Sequence, residues 1–473
     1  MACRSLAIAA LAALTVTAAH GASNDATQVM ARDIFKELIE INTADSVGNI
    51  TTASEAIAKR FIAAGFAEQD VQVIGPSAQK KNLVVRLHGT GKHKPILLIG
   101  HLDVVEARRE DWTTDPFQFV EKDGYFYGRG TADMKNGDAI MVANLIRLKQ
   151  EGYRPSRDLI LALTAGEESG VANGMEWLVK NHRELIDAEY VLNHDGYSVL
   201  SENGKPLRYE LYATEKVYAD YLLTATNRGG HSSLPRPDNA IYELAEGLKR
   251  LAAYRFPFEL NDITHAYYER MSTIETGQRA ADMRAILLSP PDAAALERLS
   301  QNPRDNATMR TTCVATRLNG GHANNALPQE AHATVNCRIL PSHTPEETRQ
   351  ALIKVLADPN IKVQYLDVDG TALDAATNSA GYPPPKLLPE VLQPLERLVN
   401  ETWPGIKVVP AMSQGASDGV FTMAAGLPTY EITGIEQDAN DIRAHGKDER
   451  TRVRSFYEGV DFFYRYIKAV TAN

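Results

Sequence analysis

An α/β fold, with a mostly parallel central sheet and an inserted smaller α/β domain that itself carries a helical insertion, is predicted by three observations. Short, near-continuous apolar runs alternate with helical patterns along the chain, as strands buried on both faces of a parallel sheet do. His, Asp and Glu residues follow several of those runs directly, where open α/β sheets place their ligands. A middle segment changes pattern and returns to the first through a proline-rich stretch. At 473 residues the chain has room for two or three folding units. Its 44% hydrophobic and 23% charged residues exclude global disorder and a polytopic membrane protein. A net charge of -10 argues against tracking nucleic-acid phosphates and leaves room for cations. Of the 3 cysteines none forms a CxxC pair, so any metal must be held by His, Asp and Glu.

The elements follow in order. Arg4, the apolar run 6–19 and the small residues Ala19, Gly21 and Ala22 read as a signal peptide over 1–22, cleaved near Ala22, which makes the mature chain an exported one. That run is shorter than the roughly 20 residues a membrane span requires, and no later segment is long and apolar enough. Helices are expected over 31–41 and 53–64, the second stopped by Gly65. Core strands are expected at 83–87, 96–99, 159–163 and 190–192, with a helix over 139–149. Beyond Tyr218 the pattern is strand 221–226, helix 239–254, strands 313–318 and 331–340, helix 345–356 and strand 361–366. These read as two βαβ-like halves interrupted by a helical insertion at about 256–310. A linker over 375–389, with Gly381, Pro383, Pro384, Pro385 and Pro389, leads back to helix 391–401, strand 427–431 and a final helix 452–469. The expected domains are therefore 23–213 with 376–473, and 214–375 inserted between them.

The chemistry sits at strand ends. Strand 96–99 delivers His101 and Asp103, a spacing that suits a metal ligand with a carboxylate partner, or a plain core histidine. Gly128, Arg129 and Gly130 lead to Asp133 and then Lys135 and Gly137; the glycines permit a tight backbone, and the acid either bridges cations or caps the following helix. Strand 159–163 runs into Glu167 and Glu168, adjacent carboxylates that a cation would compensate, or two acids opening a helix. Strand 190–192 ends in Asn193, His194, Asp195 and Gly196, and Ala444, His445 and Gly446 follow the last core strand. Jointly these supply two imidazoles and three or four carboxylates, a hard N/O set suited to two Zn²⁺ or similar ions. Such a pair activates water and polarises an amide carbonyl, with a carboxylate as general base.

The runs GHLDVV, WTTDPFQF, YGRGTADMKNG, LTAGEESG, GGHSS, NALP, NCRILP and GASDG resemble the dizinc metallopeptidase and acylase family of carboxypeptidases G and S, carnosinase-like dipeptidases and aminoacylase, over nearly the whole mature chain. The helical insertion is most similar to carboxypeptidase S and its N-acyl amino acid hydrolase relatives. The resemblance implies that Asp133 bridges two ions, His101 and Asp195 bind one, and Glu168 and His445 bind the other. It casts Glu167 as general base, Asp103 as the partner of His101, and His231 as a donor to the developing oxyanion, in dimeric relatives across subunits. Asn325 and Arg338 resemble the groups that hold the substrate carboxylate. Gly415, Ser417 and Asp418 resemble a loop that closes behind the substrate, although Ser417 stands where many relatives have Thr. His322 and Asn324 receive no role.

The expected function is that of an exported, metal-dependent exopeptidase, either a carboxypeptidase or a dipeptidase, cleaving an amide beside a free carboxylate with two divalent ions, Zn²⁺ first and Co²⁺ or Mn²⁺ as alternatives. An N-acyl amino acid hydrolase is the close alternative, followed by an aminopeptidase and a silent peptide-binding protein. The expected partner is a small peptide or N-acyl amino acid, with no nucleic acid, no membrane span in the mature chain, and room for a homodimer. Cys313 and Cys337 fall in neighbouring expected strands, as a disulfide or as two buried thiols.

Overall fold

The computed structural model describes residues 26–46, 48–377 and 381–472. The expected signal peptide, 1–22, lies outside them. Among the described residues no helix is long and apolar enough to cross a membrane. The described residues form two compact units, one within 26–210, 388–408 and 431–472, the other within 211–387 and 409–430.

In the first unit one side of a ten-stranded sheet runs in the order Val71–Ile74, Asn82–Leu87, Leu159–Thr164, Ile96–His101, Tyr190–Asn193. Ile96–His101 lies parallel to both its neighbours, whereas Asn82–Leu87 is antiparallel to Leu159–Thr164. The sheet is thus parallel where the apolar runs are unbroken and turns antiparallel towards its edge. Leu97, Leu98, Ile99, Leu161 and Val191 are completely buried, and each such aliphatic side chain contributes ~1.5–3 kcal/mol. Gly100 is required here, because a Cβ would lie 2.4 Å from Asp138 Oδ1 and 2.7 Å from Met134 Cε. The strand therefore reaches His101 without a bulky residue forcing the following helix away.

That helix, Lys135–Gln150, begins four residues earlier than its apolar pattern indicates, because Lys135, Asn136 and Asp138 are buried despite their polarity. Lys135 Nζ donates to the carbonyls of Leu38 (2.8 Å) and Ile41 (3.0 Å), tying the loop that carries Asp133 to the end of the helix over 26–40. Cations are favoured at helix C-termini because the last carbonyls lack partners. Helix 26–40 buries Ala31, Ile34, Phe35, Leu38 and Ile39 completely, a helical stripe. A small sheet of Val120–Lys122, Tyr125–Tyr127 and Arg450–Arg452, too short to show a period in the sequence, joins the glycine-rich turn to the segment after His445.

In the second unit a five-stranded sheet has the order Thr312–Gly320, Glu330–Ile339, Val217–Thr226, Ile361–Leu366, Ala372–Leu373, with every neighbouring pair antiparallel. The two βαβ halves are therefore split, each with a strand of the other half inserted between its own, as in ferredoxin-like folds. Helices Ala240–Ala253 and Pro345–Leu356 cover one face, where Leu244, Leu251, Leu352 and Leu356 join Tyr221, Leu223 and Val335 in one core. The helical insertion, Asp262–Met271, Gly277–Ala285, Ala293–Ser300 and Pro303–Met309, has its own cluster of Tyr267, Tyr268, Met271, Met283 and Met309 against Val409 and Ala411. Cys313 and Cys337 are register partners and form a disulfide.

Lys216 is completely buried in this unit and donates to the carbonyls of Arg310 and Arg338. Burial, with the Arg338 and Arg310 cations nearby, pushes its ammonium down to about 7. An unfolded lysine keeps its proton to about pH 10.4. Between those values the unfolded chain binds more protons than the folded one, so stability rises with pH. We expect the urea midpoint of this unit to rise from pH ~7 to pH ~10 and the Lys216→Met variant to lose that rise; an unchanged pH slope in the variant would refute the assignment.

Candidate metal centre

Strand ends bring the charged groups of the first unit together. His101 terminates Ile96–His101, Asp133 ends the glycine-rich turn before helix Lys135–Gln150, Glu167 and Glu168 follow Leu159–Thr164, and Asp195 follows Tyr190–Asn193. His445, on a connecting loop, adopts a left-handed φ of 63°, uncommon outside glycine and frequent at constrained sites.

Asp133 lies between the two imidazoles. Its Oδ1 is 3.1 Å from His101 Nε2 and its Oδ2 is 3.1 Å from His445 Nε2. His445 Nε2 is also 3.1 Å from Glu168 Oε2, and His101 Nε2 is 3.9 Å from Glu167 Oε2. Two triads with ligand atoms within 4.8 Å of one another result, His101–Asp133–Asp195 and Asp133–Glu168–His445, sharing Asp133. Burial opposes a charge on His101, yet its hydrogen bond to Asp133 and the fields of Glu167, Asp195 and Asp103 hold it well above the ordinary imidazole range. Hydrogen bonds to Asp133 and Glu168 hold His445 up to about 10. Burial works against ionisation of Asp133 too, but hydrogen bonds from both imidazoles keep it below the usual carboxylate range.

These donors fit a pair of divalent cations. Four carboxylates, Asp133, Glu167, Glu168 and Asp195, gather around two imidazoles, and like charges at such spacing require compensation. Glu168 Oε1 is buried with no hydrogen-bond partner among the described residues, as a ligand oxygen awaiting a cation would be. The ring of His101 is oriented from behind: its Nδ1 lies 3.1 Å from the Asp103 carbonyl oxygen, an acceptor that leaves Nε2 free to ligate. The third histidine of the strand ends, His194, is buried against Phe463 at 4.8 Å, and burial pushes it down to about 4. It is a neutral core group.

Asp103, expected as the partner of His101, lies beside it and also serves the backbone of a neighbouring turn. Its Oδ1 is 3.8 Å from His101 Nδ1, and its oxygens accept from the backbone: Oδ1 from Gly166 N (2.8 Å) and Glu167 N (3.2 Å), Oδ2 from Glu168 N (3.0 Å). One buried carboxylate thus holds the turn that presents both glutamates, and its backbone carbonyl orients His101. Sequence reasoning also misses Arg129 and Glu449, buried at 2% and 0% exposure. Glu449 stands four residues after His445, but nothing local distinguishes it from a solvated acid.

The remaining expected site residues all lie in the second unit. His231 and Asn325 come together on a small ribbon: Gly230–His231 pairs with Ala326–Leu327, Ser232 N donates to the Asn325 carbonyl at 3.1 Å, and His231 Nδ1 is 2.7 Å from Ser233 Oγ. Arg338 pairs in register with Tyr218 and lays its guanidinium over that ring at 4.6 Å. Gly415 N donates to Ser413 Oγ at 3.2 Å. Ser417 is buried, donating to Glu215 Oε1 at 3.1 Å and accepting from Gly419 N at 3.0 Å.

For Asp103→Ala, loss of the acceptor leaves three backbone N–H groups of residues 166–168 unmatched, each worth ~1–3 kcal/mol when buried. We expect a clear fall in unfolding free energy in EDTA, where bound cations cannot mask it, together with loss of turnover when metal is restored. Parent-like stability in EDTA would show that the clamp carries no energy.

Residues 97–469 match peptidase family M20/M25/M40. A probable carboxypeptidase S-like protein of Dictyostelium discoideum is 28% identical over 385 residues, spanning 79% of this chain and 71% of that one. The human N-fatty-acyl-amino acid synthase/hydrolase PM20D1 is 27% identical over 384 residues, spanning 79% of this chain and 74% of its own. In fold, an M20 family metallo-carboxypeptidase of Sulfolobus solfataricus superposes with a TM-score of 0.71 at 16% identity, covering 94% of this chain and 99% of that one. With its strand-end carboxylates and imidazoles in place, the chain belongs to peptidase family M20/M25/M40 and is an enzyme of the metallopeptidase and amidohydrolase type.

Proposed function

We propose that the chain is an exported exopeptidase, acting as carboxypeptidase or dipeptidase, that hydrolyses an amide bond beside a free carboxylate. The observation that supports it best is the pair of triads sharing Asp133, with Glu167 3.9 Å from His101. In this reading His101 and Asp195 hold one divalent ion, Glu168 and His445 the other, and Asp133 both. Nitrogen and oxygen ligands suit Zn²⁺, with Co²⁺ and Mn²⁺ as alternatives. When bound, such a pair supplies Lewis acidity to the scissile carbonyl and acidifies water.

Glu167, carried on the turn that Asp103 clamps, takes the proton from the attacking water and delivers it to the leaving amine. A general base in such a position contributes ~10²–10⁴-fold. By the family resemblance alone, His231 would be the donor to the developing oxyanion, and Arg338 and Asn325 the groups for the substrate carboxylate. Export rests on the leader-like residues 1–22, and the Cys313–Cys337 disulfide suits an oxidising compartment.

A second reading, an N-acyl amino acid hydrolase, is favoured by the likeness to N-fatty-acyl-amino acid synthase/hydrolases. Both substrate classes present an amide followed by a free carboxylate, so the catalytic groups are the same and the acyl side differs.

The test is a panel of free dipeptides and N-acyl amino acids, incubated with the purified chain in Zn²⁺ and in EDTA. Chelator-sensitive cleavage of dipeptides supports the exopeptidase, cleavage of N-acyl amino acids alone supports the acylase, and cleavage of neither by a chain holding two ions overturns both. Glu167→Gln should lower kcat by at least ~10²-fold at unchanged metal content; turnover near that of the parent would remove Glu167 from the mechanism.

A further inference from the structure

A buried ion pair stands behind both triads. Arg129 Nη1 and Glu449 Oε2 are 2.5 Å apart. The other oxygen of Glu449 accepts from the backbone N–H groups of Ala132 (2.6 Å) and Asp133 (3.0 Å), and the Glu449 carbonyl accepts from Gly128 N at 3.2 Å. The other arm of Arg129, Nη2, reaches the carbonyls of Glu106 and His445, each at 3.4 Å. Its guanidinium lies over the Trp112 ring at 5.1 Å. Two residues 320 positions apart thereby grip the backbone of one ligand common to both triads and of one ligand belonging to a single triad.

A buried ion pair is weak evidence for stability, since two apolar residues of similar size often serve as well. Its value here lies in geometry. Arginine presents a rigid fork that spends one arm on a carboxylate while the other meets carbonyls, and groups that orient metal ligands typically change affinity ~10–100-fold when removed.

We infer that Arg129 and Glu449 are positioning residues for the metal centre, with Glu449 setting Asp133 and Arg129 setting His445. The inference rests on the two-ion reading proposed above. Both side chains are buried and act through the backbone of the ligands.

The test uses Zn²⁺ alone, titrated into the metal-stripped full-length chain in competition with a chromophoric chelator, well below the melting temperature of each variant. Site-by-site affinity is a readout that a general loss of stability does not move. The parent is expected to bind two Zn²⁺ per chain; fewer would overturn the two-ion reading and this inference together. Arg129→Lys keeps a cation beside Glu449 but replaces two forked nitrogens, one on the acid and one on the carbonyls, by a single one, and is expected to weaken one Zn²⁺ by ~10–100-fold and spare the other. The double variant Arg129→Met, Glu449→Met removes both charges, leaves neither buried unpaired, and is expected to weaken both ions. If the double variant does not fold, Arg129→Lys carries the test alone. Two Zn²⁺ held by Arg129→Lys with parental affinities, or weakened equally, would overturn the inference while leaving the two-ion reading intact.

Discussion

Asp133 faces two imidazoles with its two oxygens, each at 3.1 Å, and the remaining strand ends of the first unit are arranged around that fact. A carboxylate facing two cationic partners leaves a net positive charge, and Glu167, Glu168 and Asp195 offset it. The same gathering would repel itself without cations. The site thus trades folding stability for the capacity to bind metal, as strained functional sites commonly do.

The sheet makes the gathering affordable in conformational terms. Three parallel neighbours, Leu159–Thr164, Ile96–His101 and Tyr190–Asn193, end on the same edge, so their following residues converge without long ordered loops. Buried backbone acceptors and donors are then matched individually. Asp103 satisfies the turn of residues 166–168, Lys135 satisfies the end of helix 26–40, and Glu449 satisfies residues 132 and 133. Each of the three is a charged side chain buried to hold backbone, and together they make the ligand positions a property of the core rather than of flexible loops.

What is legible in the sequence is local. The apolar runs, their bounding glycines and the acids and histidines after them are contiguous, so His101, Asp133, Glu167, Glu168, Asp195 and His445 are legible as candidate groups, their separate roles implied only by the family resemblance, and the helix Pro345–Leu356 is legible too. What is not legible depends on pairing across the chain. The split order of the second sheet is invisible because strand order leaves no local period. Asp103 reads as a partner for His101 because the two are neighbours in sequence, whereas its carboxylate is used by N–H groups more than sixty positions away. Whether Cys313 and Cys337 bond depends on a register that places them directly opposite. Lys135, Lys216 and Glu449 carry no local signal of burial, since burial of a lone ion is legible only once its partners are known.

The central claim, that one carboxylate serves two ions, is tested most directly by metal analysis of Asp133→Ala after dialysis, beside Asp195→Ala. The account predicts that Asp133→Ala retains neither ion while Asp195→Ala loses one. A chain lacking Asp133 that still holds one ion at full occupancy would contradict it.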